Sequence, residues 1–356
     1  MALRRSPSRL LTAVAAVVVL VASGCTGTNN ATDQPTLMVY SAPGLSSWYQ
    51  SRFEKFTRET GVAVNVFEGG SGEVVSRVNS PAVWERVGNQ QAVPPADLLI
   101  TLPPFIQKAA KAGLLQAGGV DTTGISADLI GPDGVYVPIA GTALCFIANP
   151  AVQPLPAGWE DLLSPRFKGR LQYSTPGEAG DGTAVLVLLQ HLMGKRGALD
   201  YLTRLNANNV GPASSTGGLQ AKVDSGELMV ANGDVQMNLA SINNGGSKFT
   251  VFFPAFNGTR TTVSLPYMAG VTAGSQSPEQ AKALLASLLS EDAQMSLYSE
   301  ASGMPVRESV TAQATGRSGT LTPNQVLEGV TLWSPDWNQV LVDLGDDVAA
   351  YRQAVR

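Results

Sequence analysis

The sequence predicts an α/β protein built as two lobes. At 356 residues the chain exceeds one ordinary domain and is long enough for two units of roughly 150 residues each. Short apolar strands alternate with helical patterns across most of it, separated by glycine turns, and that order builds largely parallel sheets. The composition, 44% hydrophobic and 15% charged, supplies a large core, while 2 Cys cannot make a disulfide framework.

The leading residues read as an address. Arg4, Arg5 and Arg9 form a positive start, and an apolar run follows from Leu10 to Ala22. That run is shorter than the roughly 20 residues a membrane-spanning helix needs, and it fits the core of a secretory signal. It ends Val21-Ala22-Ser23-Gly24-Cys25, which resembles a lipobox with Ala22 where leucine is usual. Residues 1–24 are therefore expected to be a lipoprotein signal peptide, with Cys25 lipidated and 25–36 a polar tether. Ordinary secretion with Cys25 free is the alternative. The chain from Cys25 onward keeps 21 basic and 28 acidic side chains, a net charge of -7 against -4 for the whole.

The first lobe opens with a strand at Leu37 to Ser41. A helix near Leu45 to Thr60 follows, with Tyr49, Phe53 and Phe56 on one face and Gly61 as its stop. Val62 to Phe67 is the next strand, and Gly69-Gly-Ser-Gly72 leads into a helix from Glu73. Ala96 to Thr101 is a third strand, and Pro103-Pro104 starts a helix that ends near Gly113. The second lobe has a strand at Arg170 to Ser174 and helices at Gly182 to Met193 and Leu219 to Ser225. Leu228 to Ala231 is a strand, a short helix runs from Asp234, and Phe249 to Phe253 is another strand. Tyr267 to Ala273 returns to the first lobe. Ser277-Pro-Glu-Gln280 has the form of a helix start with a capping box. A last helix near Asn338 to Ala354 is expected to pack on the first lobe. The lobes are thus 37–142 with 266–356, and 143–265.

Several chemistries are excluded. His191 is the one histidine, which rules out multi-histidine metal sites; its apolar helical neighbours make it a packing or surface residue. The acidic balance argues against a nucleic-acid binder. No Lys-Ser/Thr follows Gly69-Gly-Ser-Gly72, so there is no nucleotide-hydrolysing loop. Cys145, in the apolar run Thr142 to Ala148, reads as an inert buried thiol. The tryptophans, Trp48, Trp84, Trp159, Trp333 and Trp337, read as core or lobe-surface residues.

Five segments carry a resemblance. They are Val39-Tyr-Ser-Ala42, Glu68-Gly-Gly-Ser-Gly-Glu73, Ala96 to Phe105, Ser174-Thr-Pro-Gly-Glu-Ala-Gly-Asp-Gly-Thr183, and Val230-Ala-Asn-Gly-Asp-Val-Gln-Met-Asn238. From about 37 to 310 the chain resembles the extracellular solute-binding proteins of ABC importers. Within them it is similar to the branch holding ferric-ion and 2-aminoethylphosphonate binders. The resemblance implies the type II periplasmic-binding fold, a ligand cleft between lobes, and no catalysis or cofactor. It also implies a monomer that hands its ligand to a permease and its ATPase, held to the membrane here by the lipid anchor. Ferric members carry a Tyr-Tyr pair where this chain has Gln236 and Met237. An amide and a thioether cannot replace two phenolates around a hard cation, which disfavours iron.

A phosphonate suits hydroxyls and N–H groups at helix starts, where unpaired donors and the helix dipole converge. All the candidate turns follow strands, at the carboxyl ends where α/β sheets place ligands. Ser41, Ala42, Ser71, Gly72, Thr101, Leu102, Ser174, Thr175, Gly182 and Thr183 are the expected anion contacts; plain turn chemistry is the competing explanation for each. For the amine the candidates are Glu73, Asp181, Glu178, Asp234, Tyr40 and Tyr267, with Asp181 also suited to cap a helix. Asn238 is a further candidate. Phosphate esters such as a sugar phosphate, polyamines and thiamine are the alternative ligands. A secreted enzyme acting on phospho-compounds is the different-class alternative, but no nucleophile–base constellation for it exists in the sequence.

Overall fold

The computed structural model describes residues 35–80 and 94–356. The signal peptide, Cys25, nearly all of the tether and Trp84 lie outside the described residues. The first elements follow the predicted order: β1 (Thr36–Ser41), α1 (Ser46–Thr60), β2 (Ala63–Glu68), α2 (Ser71–Asn79), β3 (Leu98–Thr101) and α3 (Phe105–Lys111). β1 runs parallel to β2 on one side and β3 on the other. It is buried from Leu37 to Ser41, as a central parallel strand covered on both faces must be. α1 lays Trp48, Tyr49, Phe53 and Phe56 on that sheet, and Gly61 ends it at φ 73, a left-handed position that glycine adopts without strain. β4 (Val137–Ala140) and β11 (Tyr267–Val271) complete a five-stranded sheet of order β2-β1-β3-β11-β4.

The second lobe is built on β5 (Leu144–Ala148), β6 (Leu171–Gln172), β7 (Val230–Asp234) and β8 (Thr250–Phe252), in the order β6-β7-β5-β8. Its helices are α4 (Gly180–Leu205), α5 (Leu219–Asp224) and α6 (Val235–Gly245). α4 runs past the predicted end at Met193; Gly194, at φ 73, breaks it into two segments. The chain returns through β9 (Ala255–Phe256) and β10 (Thr259–Val263). The two crossings between lobes lie side by side: Ala143 bridges Ser264, and the Leu265 N–H donates to the Thr142 carbonyl.

Beyond β11, α7 (Pro278–Leu288) buries Ala281, Leu284, Leu285 and Leu288, and α8 (Glu291–Ala301) packs on α1. Ser277 and Pro278 stand at the predicted helix start, but the Ser277 side chain makes no cap bond, so the expected capping box does not form. Short helices α9 (Glu308–Thr311) and α10 (Pro323–Val326) precede β12 (Thr331–Trp333) and α11 (Trp337–Ala354).

This tail departs from expectation. β12 pairs with β10, and α11 lies mainly along α4 of the second lobe while also touching α3 of the first. The physical reason is on its faces. Tyr351 and Val348 are buried, the Tyr351 hydroxyl meets that of Tyr173 at 3.1 Å, and Lys195 pairs with Asp347 at 2.9 Å. His191 is exposed and stacks on Trp333 at 3.8 Å, a surface role as expected. Cys145 is buried, and burial pushes its thiol well above the ordinary range.

Candidate functional site

The loops after β1, β2 and β3 meet, from the first lobe, the starts of α4, α5 and α6 from the second. Between them lies a cavity of about 10 Å³ lined by Ala42, Pro43, Gly70, Ser71, Leu102, Ala179, Gly180, Asp181, Ser215, Thr216 and Met237. Two glycines let the lobes approach. A Cβ on Gly180 would stand 2.7 Å from the Leu102 Cβ, and one on Gly72 would stand 2.8 Å from the Glu178 carbonyl. Instead the Gly72 N–H donates to that carbonyl across the cleft at 2.9 Å. Gln236 adds a second link, its amide nitrogen donating to the carbonyls of Gly44 (3.0 Å) and Ala301 (2.8 Å).

Two aspartates dominate the electrostatics. Asp234 is 1% exposed and begins α6. Its Oδ1 accepts from the Thr142 hydroxyl (2.8 Å) and the Met237 N–H (2.9 Å), and the Tyr267 hydroxyl lies 3.1 Å from Oδ2. Burial pushes its carboxyl up, and these donors oppose the push. Asp181 is 4% exposed, in the first turn of α4. The N-cap of α4 is Ala179, so Asp181 lies inside the first turn and is not the cap residue its position suggested. Its Oδ1 is buried without a partner. Burial, and then the neighbouring charge of Asp234, push its carboxyl up to about 7, against a hydrogen bond from Thr216. Among the described residues no group of three His, Cys, Asp or Glu side chains is placed to hold a metal ion.

The predicted residues divide. Ala42, Ser71, Leu102 and Asp181 line the cavity. The others do not. Ser41 turns its hydroxyl to that of Tyr49 (2.9 Å) and to the Ala42 carbonyl (2.8 Å). Thr101 donates to the Ser71 carbonyl, supporting the turn from behind. Ser174 is held by Asn232 and Thr216, and Thr175 by Ala213. Gly182 packs against the Ser174 carbonyl, and Gly72 is occupied by Glu178. The Thr183 hydroxyl donates to the Ala179 carbonyl (2.8 Å) and accepts from the Gly177 N–H (2.9 Å), fixing the loop before α4. Asn238 spends its amide on Cys145 and Gln220. Glu73 pairs with Arg77 at 2.9 Å, and Tyr267 is tied to Pro43 and Asp234. Of the remaining amine candidates, the Tyr40 hydroxyl donates to the Pro94 carbonyl and Glu178 meets Arg352 at 3.4 Å.

Sequence reasoning missed Ser215, Thr216 and Met237. The first two had a signal, the turn-forming run Ser214-Ser-Thr-Gly-Gly218 ahead of α5. Met237 carries no signal in the sequence beyond its inability to hold iron.

Residues 37–301 match the family model described as bacterial extracellular solute-binding protein. A periplasmic protein of Salmonella typhimurium strain LT2, provisionally named as 2-aminoethylphosphonate-binding, is 40% identical over 327 residues, spanning 90% of this chain and 92% of its own. The fold matches that of a periplasmic thiamin binding protein with a TM-score of 0.72 at 17% identity, covering 91% of this chain and 97% of the other. It matches the periplasmic binding protein AfuA of Actinobacillus pleuropneumoniae, solved with fructose-6-phosphate bound, with a TM-score of 0.70 at 16% identity over 91% and 97% of the two chains. These are type II periplasmic-binding folds, two α/β lobes with a cleft between them. With its family model covering most of the chain and this relative nearly end to end, the chain belongs to the bacterial extracellular solute-binding proteins.

Proposed function

We propose that this protein captures 2-aminoethylphosphonate, or a similar small phosphonate, by closure of the lobes, and catalyses nothing. The observation that carries the reading is the buried Asp181, one oxygen of which has no partner, lining a cavity with the start of α2 at Ser71 on the facing lobe and Ser215 and Thr216 beside it. A helix start with hydroxyls suits a tetrahedral anion, and such an acid suits an ammonium. Ser71 at the start of α2, with Ser215 and Thr216, takes the phosphonate; Asp181 takes the amine. The name of the Salmonella typhimurium relative agrees with this assignment. At about 10 Å³ the cavity matches one water, so the solute enters when the lobes part, and the closed form is favoured because the ligand touches both. The lobes are 37–142 with 266 to about 330, and 143–265, with the tail after 330 docked mainly on the second. The closed form is handed to an ABC permease and its ATPase outside the cytoplasm, by a monomer anchored at a lipidated Cys25.

A thermal-shift and calorimetric screen of the chain from Cys25 onward tests the ligand. At 1,000 times its dissociation constant a ligand adds about 4 kcal/mol of stability. 2-Aminoethylphosphonate is expected to give that shift. If it gives none while fructose 6-phosphate, thiamine or spermidine does, the assignment is wrong. For the anchor, Cys25→Ala is expected to release the protein from the membrane fraction; retention there would remove the lipid from the account.

A further inference from the structure

Resting on the reading that the lobes close around a solute, we propose that Gln236, Asn243 and Asn244 of α6 form a latch. Their amides meet the carbonyl end of α8 across the lobes and set how long the closed form lasts. α6 belongs to the second lobe and α8 to the first, and the two helices pack on each other. Positions 236, 243 and 244 stand seven and eight residues apart, a spacing that returns to one helix face. All three side chains reach the last residues of α8. Gln236 Nε2 donates to the Ala301 carbonyl at 2.8 Å, and to the Gly44 carbonyl of the loop after β1 at 3.0 Å. Asn244 Nδ2 donates to the Glu300 carbonyl at 2.8 Å, and Asn243 Nδ2 to the Ser302 hydroxyl at 2.9 Å.

The end of α8 explains the choice of amides. A helix finishes with carbonyls that have no partner within it. Ser302, at φ 57, closes α8 in the left-handed conformation and returns its N–H to Leu297. The Glu300 and Ala301 carbonyls are met from the other lobe instead. Gln236 is 1% exposed, and its Oε1 is buried without a partner. The nitrogen alone holds this amide, so the side chain is seated by what it donates to the first lobe. Opening the lobes exchanges these bonds for bonds to water, so each contributes modestly and several are needed. All of them join protein groups to protein groups. The latch therefore favours closure before a solute arrives and delays opening once it is bound.

The test is stopped-flow binding of 2-aminoethylphosphonate to the chain from Cys25 onward, together with small-angle X-ray scattering of the same chain without ligand. Gln236→Met keeps the length of the side chain and removes both donors. Its dissociation rate is expected to rise about tenfold while its association rate does not fall, and its unliganded radius of gyration is expected to exceed that of the parent. Gln236→Glu turns a charged acceptor towards two carbonyls and is expected to dissociate about a hundredfold faster. Asn244→Ala, at an exposed position, keeps the fold safe and is expected to dissociate about threefold faster. A side chain that only packs would leave Gln236→Met close to the parent. A dissociation rate within twofold and an unchanged radius of gyration would therefore overturn the latch. So would a lower association rate with dissociation unchanged, which would make Gln236 part of the solute's entry instead. If the parent does not bind 2-aminoethylphosphonate, that assignment falls, and scattering from the variants still decides the latch.

Discussion

Asp181 and Asp234 differ less in sequence than in company. Each is a buried aspartate at the start of a helix in the second lobe and each follows a glycine, Asp181 after the turn that opens α4 and Asp234 at the end of strand β7. Asp234 caps its helix and is met by Thr142, Met237 and Tyr267; Asp181 lies past the cap position of its helix and keeps an oxygen without a partner. The first is a joint between lobes and the second a vacancy for charge. The contrast shows that residue type and helical position do not decide whether a buried acid builds a structure or waits for a ligand; the number of donors around it does.

The contrast breaks most sharply at Asp234→Ala. That change removes a helix cap and leaves the buried Thr142 hydroxyl without its acceptor, while Tyr267 keeps the Pro43 carbonyl; it costs about 3 kcal/mol and lowers the melting temperature by about 4 °C in a calorimetric scan. A loss under 1 °C would mean that Asp234 is not the structural member.

Asp181→Asn should act in the opposite direction. The ordinary carboxyl value is 3.8 and the folded value about 7, so the folded chain holds this proton more tightly. The stabilisation this gives is present below pH 4 and is lost as pH rises through 7. The asparagine variant, without ligand, is therefore expected to melt several degrees higher than the parent at pH 8 and to show a flatter dependence between pH 4 and 8. A variant that melts lower at pH 8 would show Asp181 to be structural after all.

Gly180→Ala sharpens the comparison by touching the cleft beside Asp181 and leaving both acids in place. Its methyl would meet Leu102 and, at 2.9 Å, the Ser71 hydroxyl, both on the facing lobe. Affinity for 2-aminoethylphosphonate is expected to fall about tenfold, since a wedge of this kind costs about 1 to 3 kcal/mol, while the lobes themselves keep their stability. Unchanged affinity would show that closure does not reach this contact. The smallest effect is expected at Thr183→Val. It frees the Gly177 N–H and costs about 1 kcal/mol of stability, with affinity unchanged within twofold by calorimetry. A large affinity loss would return Thr183 to the set of ligand contacts.

The strands and helices were legible because their signals are local. The apolar runs of β1 and β3, the aromatic face of α1 and the stop at Gly61 each announce themselves within a few residues. The site was legible as turns and less so as atoms. Ser71 and Asp181 stand in the cavity as their turns suggested, while Ser41, Thr183 and Asn238 turn to partners that are chosen by packing. Asn238 meets Cys145 ninety-three positions away, and no pattern within a single segment carries such a pairing. The tail was misplaced for the same reason. The apolar face of α11 announces burial without naming the surface that receives it, and the receiving surface is α4.

That docking of α11 gives the molecule a built-in ruler. β1 begins at Thr36 within the sheet of the first lobe, while α11 is fastened at its far end by Thr203 and Asn206, which donate to the carbonyls of Ala354 and Val355. Residues 36 and 356 therefore ride on different lobes. A pair of dyes at these two positions would read cleft movement as distance, with neither label near the solute.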